Sequence, residues 1–456
     1  MKNAAIDGLP PGRRRLAFAS TLVTVGMAVV DSSAVNVALP VIAAELRIES
    51  AEAIWIVSAY QLALVMALLP LSSLGEIHGL RKVYLTGAAL FVVASVASAL
   101  SGSLTMLVVA RTVQGLGAAG IMSVNSALVR AAFPRSLLGS ALGFVSMATA
   151  TASTLGPSYA SLVLSVASWH WVFLLNAPTG LAAIAIGFRS LPETAPSRRP
   201  FDILGAIVTA SGMGLLVTAI SSFGHRLSWP WAVVQLGLVA AAATWLVRRQ
   251  GTAEAPLLPV DLLRRPVFAL SICTSIACFT AQMLAFVSLP FHLHHDLGYA
   301  AETAGLVMMP WPMAVVVAAP LSGRLADRIS AGWLGCIGLT VMSLGLLLLF
   351  LLPEQASTLD IAWRMAVCGA GFGFFQTPNN RLVIGAVPIA RSGAASGLNS
   401  TARMFGQSTG AALVALLLAR LPENGAWIAL IVASGVALVA AVVSVLRVGA
   451  SRAGRG

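Results

Sequence analysis

The chain has 456 residues, 58% of them hydrophobic and only 10% charged, which is more apolar surface than a soluble protein hides from water. Its net charge of +12 sits in short basic clusters between long apolar runs, so composition excludes the single solvated basic face of a nucleic-acid binder. What remains is a polytopic membrane protein, with lipid as the solvent of its apolar surface.

Lys2 and Arg13, Arg14 and Arg15 precede the first apolar run. That run continues to about residue 38, too long for a cleaved leader, and is read as the first span. About 20 apolar residues cross a hydrocarbon core. By that measure fourteen spans are predicted, at 16–38, 53–74, 83–101, 104–126, 138–163, 168–189, 202–222, 230–247, 267–290, 303–323, 333–352, 361–384, 393–419 and 425–446. Gly102-Ser103 makes a tight hairpin between the third and fourth.

An even number of spans puts both ends on one side. With that side cytoplasmic, it holds 22 of the 28 Lys and Arg residues and the opposite side holds 3, while Arg111, Arg364 and Arg403 fall inside spans. The asymmetry fits the positive-inside rule and supports the span count, because a missed span would scramble the alternation.

The chain repeats itself. Ser72-Ser73-Leu74-Gly75-Glu76 follows the second span and Ser322-Gly323-Arg324-Leu325-Ala326-Asp327-Arg328 follows the tenth, each an acid at a cytoplasmic turn with basic residues after it. The predicted organisation is an all-α membrane fold of two related bundles. Residues 1–189 form the first six-helix bundle, 190–201 a cytoplasmic linker and 202–247 two inserted helices. Residues 248–266 form a second linker, 267–446 the second six-helix bundle and 447–456 a cytoplasmic tail. Repeated halves of this kind are a feature of alternating-access transporters.

Of sixteen acidic residues, Asp31 alone falls well inside a predicted span. A charge at a helix centre costs about 2.5–3.5 kcal/mol on insertion scales, so such an acid is a functional candidate, often a proton relay. Desolvation favours the neutral form of a carboxyl, and a neighbouring guanidinium favours the ionised form. Arg111 is the candidate partner, since both residues lie about seven positions from the outer ends of their spans and so at similar depth.

The fifth span carries Ala148, Ala152, Gly156 and Ala160 at four-residue spacing, a face on which helices approach closely, and Pro157 adds an expected kink. Glu76 and Asp327 are expected to cap neighbouring helix N-termini and latch one conformation. Trp55, Tyr60 and Gln61 are candidate cavity-lining residues. His292, His294, His295 and Asp296 read as a solvated outer loop, and the four cysteines as buried hydrophobes. No GxxxxGK[ST], HExxH or GxSxG string is present, so no ATPase or hydrolase site and no metal or other cofactor is expected.

These strings resemble those of the fourteen-span drug:proton antiporters of the major facilitator superfamily. Val30-Asp31-Ser32-Ser33-Ala34-Val35-Asn36-Val37-Ala38-Leu39-Pro40 is similar to the family's LDxTxVNVALP, and Arg111-Thr112-Val113-Gln114-Gly115-Leu116-Gly117-Ala118-Ala119 to RxxQGxGAA. Gly143, Ala152, Gly156 and Pro157 keep the spacing of the antiporter motif, with alanine for glycine at 152. Trp169-His170-Trp171-Val172-Phe173-Leu174-Leu175-Asn176-Ala177-Pro178 is similar to WRWxFxxNxP, with histidine for arginine. The first loop motif, usually GxLADRxGRR, has Ser72, Glu76 and Ile77 at its Gly, Asp and Arg positions and keeps Gly79 and Arg81. The Gly323–Arg328 copy is intact at its core. Phe375-Gln376-Thr377-Pro378-Asn379-Asn380 and Ala395-Ser396-Gly397 with Arg403 are further family-like strings.

The resemblance implies a proton-coupled antiporter of the inner membrane, monomeric and not an enzyme, whose partners are protons, lipid and a small-molecule substrate. Asp31 and Arg111 would carry the coupling. Glu76, Gly79, Arg81, Gly143, Gly156, Pro157, Gly323, Asp327 and Arg328 would govern conformation. Asn36, Trp55, Tyr60, Gln61, Gln114, Gln376, Asn379 and Arg403 would line the substrate path. Amphipathic drugs, lipophilic cations among them, are the expected substrates. The alternative is an exporter or importer of one endogenous metabolite or antibiotic on the same scaffold.

Overall fold

The structure is a computed structural model that describes residues 8–48, 50–194, 201–223, 229–250, 260–295, 307–326, 328–353, 355–388, 391–421 and 424–453. Among these, each of the fourteen predicted segments falls on helical backbone, and eight helices are long and apolar enough to cross a membrane. Such a chain is a multi-pass membrane protein, because only helices satisfy their own backbone polar groups in lipid without closing a barrel.

The chain divides into two compact units. One comprises residues 1–138, 151–214 and 388–397; the other comprises 139–150, 215–387 and 398–456. In the first lie α1 (Pro11–Leu46), α2 (Ser50–His78), α3 (Leu80–Ala99) and α4 (Leu104–Ala132), followed after a short turn by α5 (Leu138–Val166), α6 (His170–Leu174) and α7 (Asn176–Ser190). α8 (Ile203–Phe223) and α9 (Trp229–Gln250) fall on the two segments expected to be inserted helices. The second unit holds the short α10 (Val260–Leu263), then α11 (Pro266–His295), α12 (Pro310–Leu325), α13 (Ala331–Phe350), α14 (Thr358–Gly385), most of α15 (Ser392–Arg420) and α16 (Gly425–Ala453). The first turns of α5 thus group with the second unit and those of α15 with the first, so the units do not end at the boundaries predicted for the bundles.

Burial is patterned for lipid. α3 buries Tyr84, Gly87, Ala88, Phe91, Ala94, Ser95 and Ser98 and exposes Val93 at 65%. Small and polar groups share the inward face with Leu80, Phe91 and Val92, while Val93 is left outside because lipid gives no reason to hide it. A Cβ on Gly87 would sit 2.8 Å from Gly120 Cα, so α3 and α4 touch backbone to backbone. In the second unit a Cβ on Gly338 would sit 2.6 Å from Phe375 N, bringing α13 and α14 together in the same way. A cluster from Cys278 through Trp311, Met342 and Phe372 to Ala441 fills that unit's core.

Local chemistry sets the ends. The Gly102-Ser103 hairpin closes on Ser103 Oγ, which caps α4 by accepting from Met106 N at 3.3 Å. Three boundaries differ from expectation. The sixth predicted span is broken at Leu175 into α6 and α7, because Pro178 has no N–H for the Leu174 carbonyl four residues back. α11 passes through Pro290 to His295, so His292, expected in an open loop, is a buried helical residue. α16 continues to Ala453, so Arg447 is part of a helix and is 1% exposed, not part of a tail.

Candidate functional site

Asp31 sits midway along α1 and is 1% exposed. Arg111 and Gln114 stand three residues apart on α4 and so share one face. Both point at α1. Arg111 Nη1 donates to Asp31 Oδ2 at 2.6 Å, with both side chains 0% exposed. The same nitrogen donates to Gln114 Oε1 at 2.6 Å, and Nε donates to the Ile56 carbonyl at 3.3 Å. The rings of Tyr60 and Phe173 flank the guanidinium at 4.2 and 5.5 Å, and such faces attract a desolvated cation.

Asp31 Oδ1 accepts two more bonds, from Gln114 Nε2 at 3.0 Å and Asn176 Nδ2 at 2.8 Å. Gln114 Nε2 also reaches Ser95 Oγ at 2.8 Å, and Ser95 donates to the Phe91 carbonyl one turn back on α3. Four helices therefore converge on one carboxylate. Three donors hold it, and a charge pair is kept from water at a depth where an unpaired charge is costly. A group so placed can exchange an ion pair for a bound proton.

Sequence reasoning placed Asp31 and Arg111 here. It placed Gln114 and Tyr60 on the substrate path, whereas Gln114 bridges the ion pair and Tyr60 covers the guanidinium. It missed Ser95, and it gave no role to Asn176, although the WRWxFxxNxP-like string contains it. Of the remaining path candidates, Asn36, Trp55 and Gln61 are exposed and Gln376 and Arg403 partly buried. Asn379 is buried and accepts from Arg447 Nη1 at 2.5 Å. That arginine also donates to Ser271 Oγ at 3.2 Å and bonds Ser444, making a second polar cluster in the other unit.

The residues of the first loop motif lie at helix ends and bond to other parts of the chain. Glu76 Oε1 accepts from Ala394 N at 2.7 Å and Oε2 from Arg391 Nη1 at 3.2 Å, so the acid caps the start of α15. Gly79 takes φ 100° between α2 and α3, a value that glycine adopts without strain. Arg81 pairs with Glu193 at 2.6 Å and lies over the Phe188 ring. Arg328 is exposed, and Asp327 lies outside the described residues. Cβ atoms on Gly143 and Gly323 would meet Ala319 O at 2.8 Å and Gly139 O at 2.6 Å, marking close contacts of α5 with α12. α5 stays helical through Pro157, whose side chain lies outside the described residues.

A Cβ on Gly156 would overlap Ser33 Oγ and lie 3.2 Å from the carbonyl of Val30, the residue before Asp31. Ser33 Oγ is itself bonded to Val29 O at 3.0 Å. Gly156→Leu is therefore expected to cost about 3 kcal/mol, at the top of the range for overpacking. Thermal unfolding in detergent reads this, with Gly156→Ala costing less because it adds one carbon in place of four, although Ser33 Cβ, 2.8 Å from that carbon, still has to shift.

The profile of the Major Facilitator Superfamily matches residues 21–411. The chain belongs to the Major Facilitator Superfamily. It is similar to the uncharacterized transporter YebQ of Escherichia coli (strain K12), with 46% identity over 450 residues that cover 98% of each chain. The multidrug resistance protein Stp of Mycobacterium tuberculosis (strain CDC 1551 / Oshkosh) is 31% identical over 410 residues, 88% of this chain and 75% of that one. A structure of the human organic anion transporter MFSD10 superimposes with a TM-score of 0.69 over 96% of this chain and all of that one, at 16% identity, a likeness of fold. Major Facilitator Superfamily proteins are transporters of small molecules, and this chain is a membrane transporter of that fold.

Proposed function

We propose that the chain is a proton-coupled efflux antiporter of the fourteen-span drug:proton type. It sits in the cytoplasmic membrane with both termini inside and exports amphipathic compounds, lipophilic cations among them, by alternating access. The observation that carries this reading is the Asp31–Arg111 pair, wholly buried on helices of a transporter fold and held by three donors. Asp31 takes up a proton from the outer side as substrate leaves, and gives it up inside. Arg111 compensates the carboxylate in its ionised state. A membrane potential adds about 2.3 kcal/mol per 100 mV to the driving force on each proton. The relative named a multidrug resistance protein supports export of drugs over uptake of a nutrient.

Ethidium efflux from cells that express the chain tests the proposal. Expressing cells accumulate less dye than control cells, and an uncoupler removes the difference. Equal accumulation in both would leave the metabolite-specific reading in its place, and a difference that survives the uncoupler would rule out proton coupling.

A further inference from the structure

The two carboxamides on Asp31 are not equivalent. Gln114 is fixed in one orientation: its oxygen accepts from Arg111 while its nitrogen donates to Asp31 and Ser95. Turning it over would put oxygen against carboxylate and nitrogen against guanidinium. Asn176 is bound on one side only. Its nitrogen donates to Asp31 Oδ1 at 2.8 Å and makes a long 3.5 Å contact with Ser95 Oγ, and among the described residues its oxygen accepts no hydrogen bond. Asn176 is nevertheless buried, as the first residue of α7 directly after the Leu175 break.

An ionised carboxylate only accepts, whereas a carboxylic acid has one hydrogen to give. A proton arriving on Oδ1 needs an acceptor in a place where every neighbour is now a donor. Gln114 cannot supply one without abandoning Arg111. Asn176 can, by a half-turn of its amide that sacrifices only the bond being reversed and the long Ser95 contact. Oδ2 then keeps the bond from Arg111, so the proton is taken up without parting the pair. The proton comes from solution and no covalent bond besides the new O–H changes. The titratable and charged groups around the carboxyl are Arg111 on α4, with Tyr60 of α2 against it, and Tyr159 on α5. From α3 and α7 come the neutral Ser95 and Asn176.

We infer that Asn176 is a positioning residue that reads the protonation state of Asp31, presenting its amide nitrogen to the carboxylate and its oxygen to the acid, and so passes that state from α1 to the start of α7. The inference rests on the proposed role of Asp31 as proton carrier.

The test is the acid-minus-neutral infrared difference spectrum of the full-length protein in phosphatidylcholine vesicles, grown with and without side-chain 15N-asparagine. The expected spectrum has a protonated-carboxyl C=O band that is lost in Asp31→Asn. It also has a carboxamide band that shifts on asparagine labelling, is lost in Asn176→Leu and persists in Gln114→Leu. A carboxyl band without an asparagine companion, or an asparagine band that survives Asn176→Leu, overturns the inference and leaves Asp31 as carrier. The absence of any Asp31-dependent band overturns both. Should Asn176→Leu fail to fold, Asn176→Ala is read in its place, and a labelled parent with no labelling-sensitive band overturns the inference by itself.

Discussion

Asp31→Asn is expected to reduce proton-driven ethidium uptake into inverted membrane vesicles to the level of vesicles lacking the protein. The substitution is nearly isosteric. The new amide oxygen can still accept from Arg111 Nη1, now 2.6 Å from Asp31 Oδ2, so the fold should survive. What it removes is the one group in this network that can hold and release a proton, and the driving force of about 2.3 kcal/mol per 100 mV then has no carrier. Binding of a lipophilic cation such as tetraphenylphosphonium to the detergent-purified variant should stay within about threefold of the parent, a change under 1 kcal/mol. Loss of uptake with retained binding separates a coupling residue from a substrate contact. Uncoupler-sensitive uptake at the parental rate in Asp31→Asn would remove Asp31 from the mechanism, and a large loss of binding would make it a substrate ligand instead.

Much of this was readable in the sequence, for a physical reason. Lipid makes a span a run of apolar residues of fixed length, and makes an intramembrane charge conspicuous by its cost. Asp31 and Arg111 stood out on those grounds, and their equal depth paired them before any helix was placed. The same logic failed where charge and structure part company. Arg447 ended the last predicted span because hydropathy treats any arginine as outside, yet Ser271, Asn379 and Ser444 supply acceptors that let the helix carry it inward. His292 was read as loop for a similar reason, although α11 continues past Pro290. Ser95 and Asn176 carry no cost signal at all. A serine or asparagine in a span is common, and only three-dimensional convergence on one carboxylate reveals its part. Asp327, predicted to mirror Glu76, lies outside the described residues.

The buried pair should also show an asymmetry in stability that a surface salt bridge would not. Asp31→Leu leaves Arg111, 0% exposed, with a charge that no proton transfer can remove. Gln114 Oε1, the Ile56 carbonyl and the Tyr60 ring remain to it, but a buried charge stripped of its counterion typically costs about 3–5 kcal/mol. Arg111→Met should cost less, about 1–3 kcal/mol, because the carboxyl can take a proton and keep its amide partners. Joining the two substitutions removes both charges, and an apolar replacement of a buried pair is often close to neutral. The double variant should therefore unfold at a higher temperature than Asp31→Leu alone, a coupling well beyond the roughly 0.5 kcal/mol error of additivity for independent sites. Thermal unfolding of the four proteins in one detergent at neutral pH measures this. Additive losses, or a greater loss in Arg111→Met than in Asp31→Leu, would mean that the guanidinium is not held against the carboxylate as the structure places it. A weak pair of that kind could not balance the charge of Asp31 through a proton cycle.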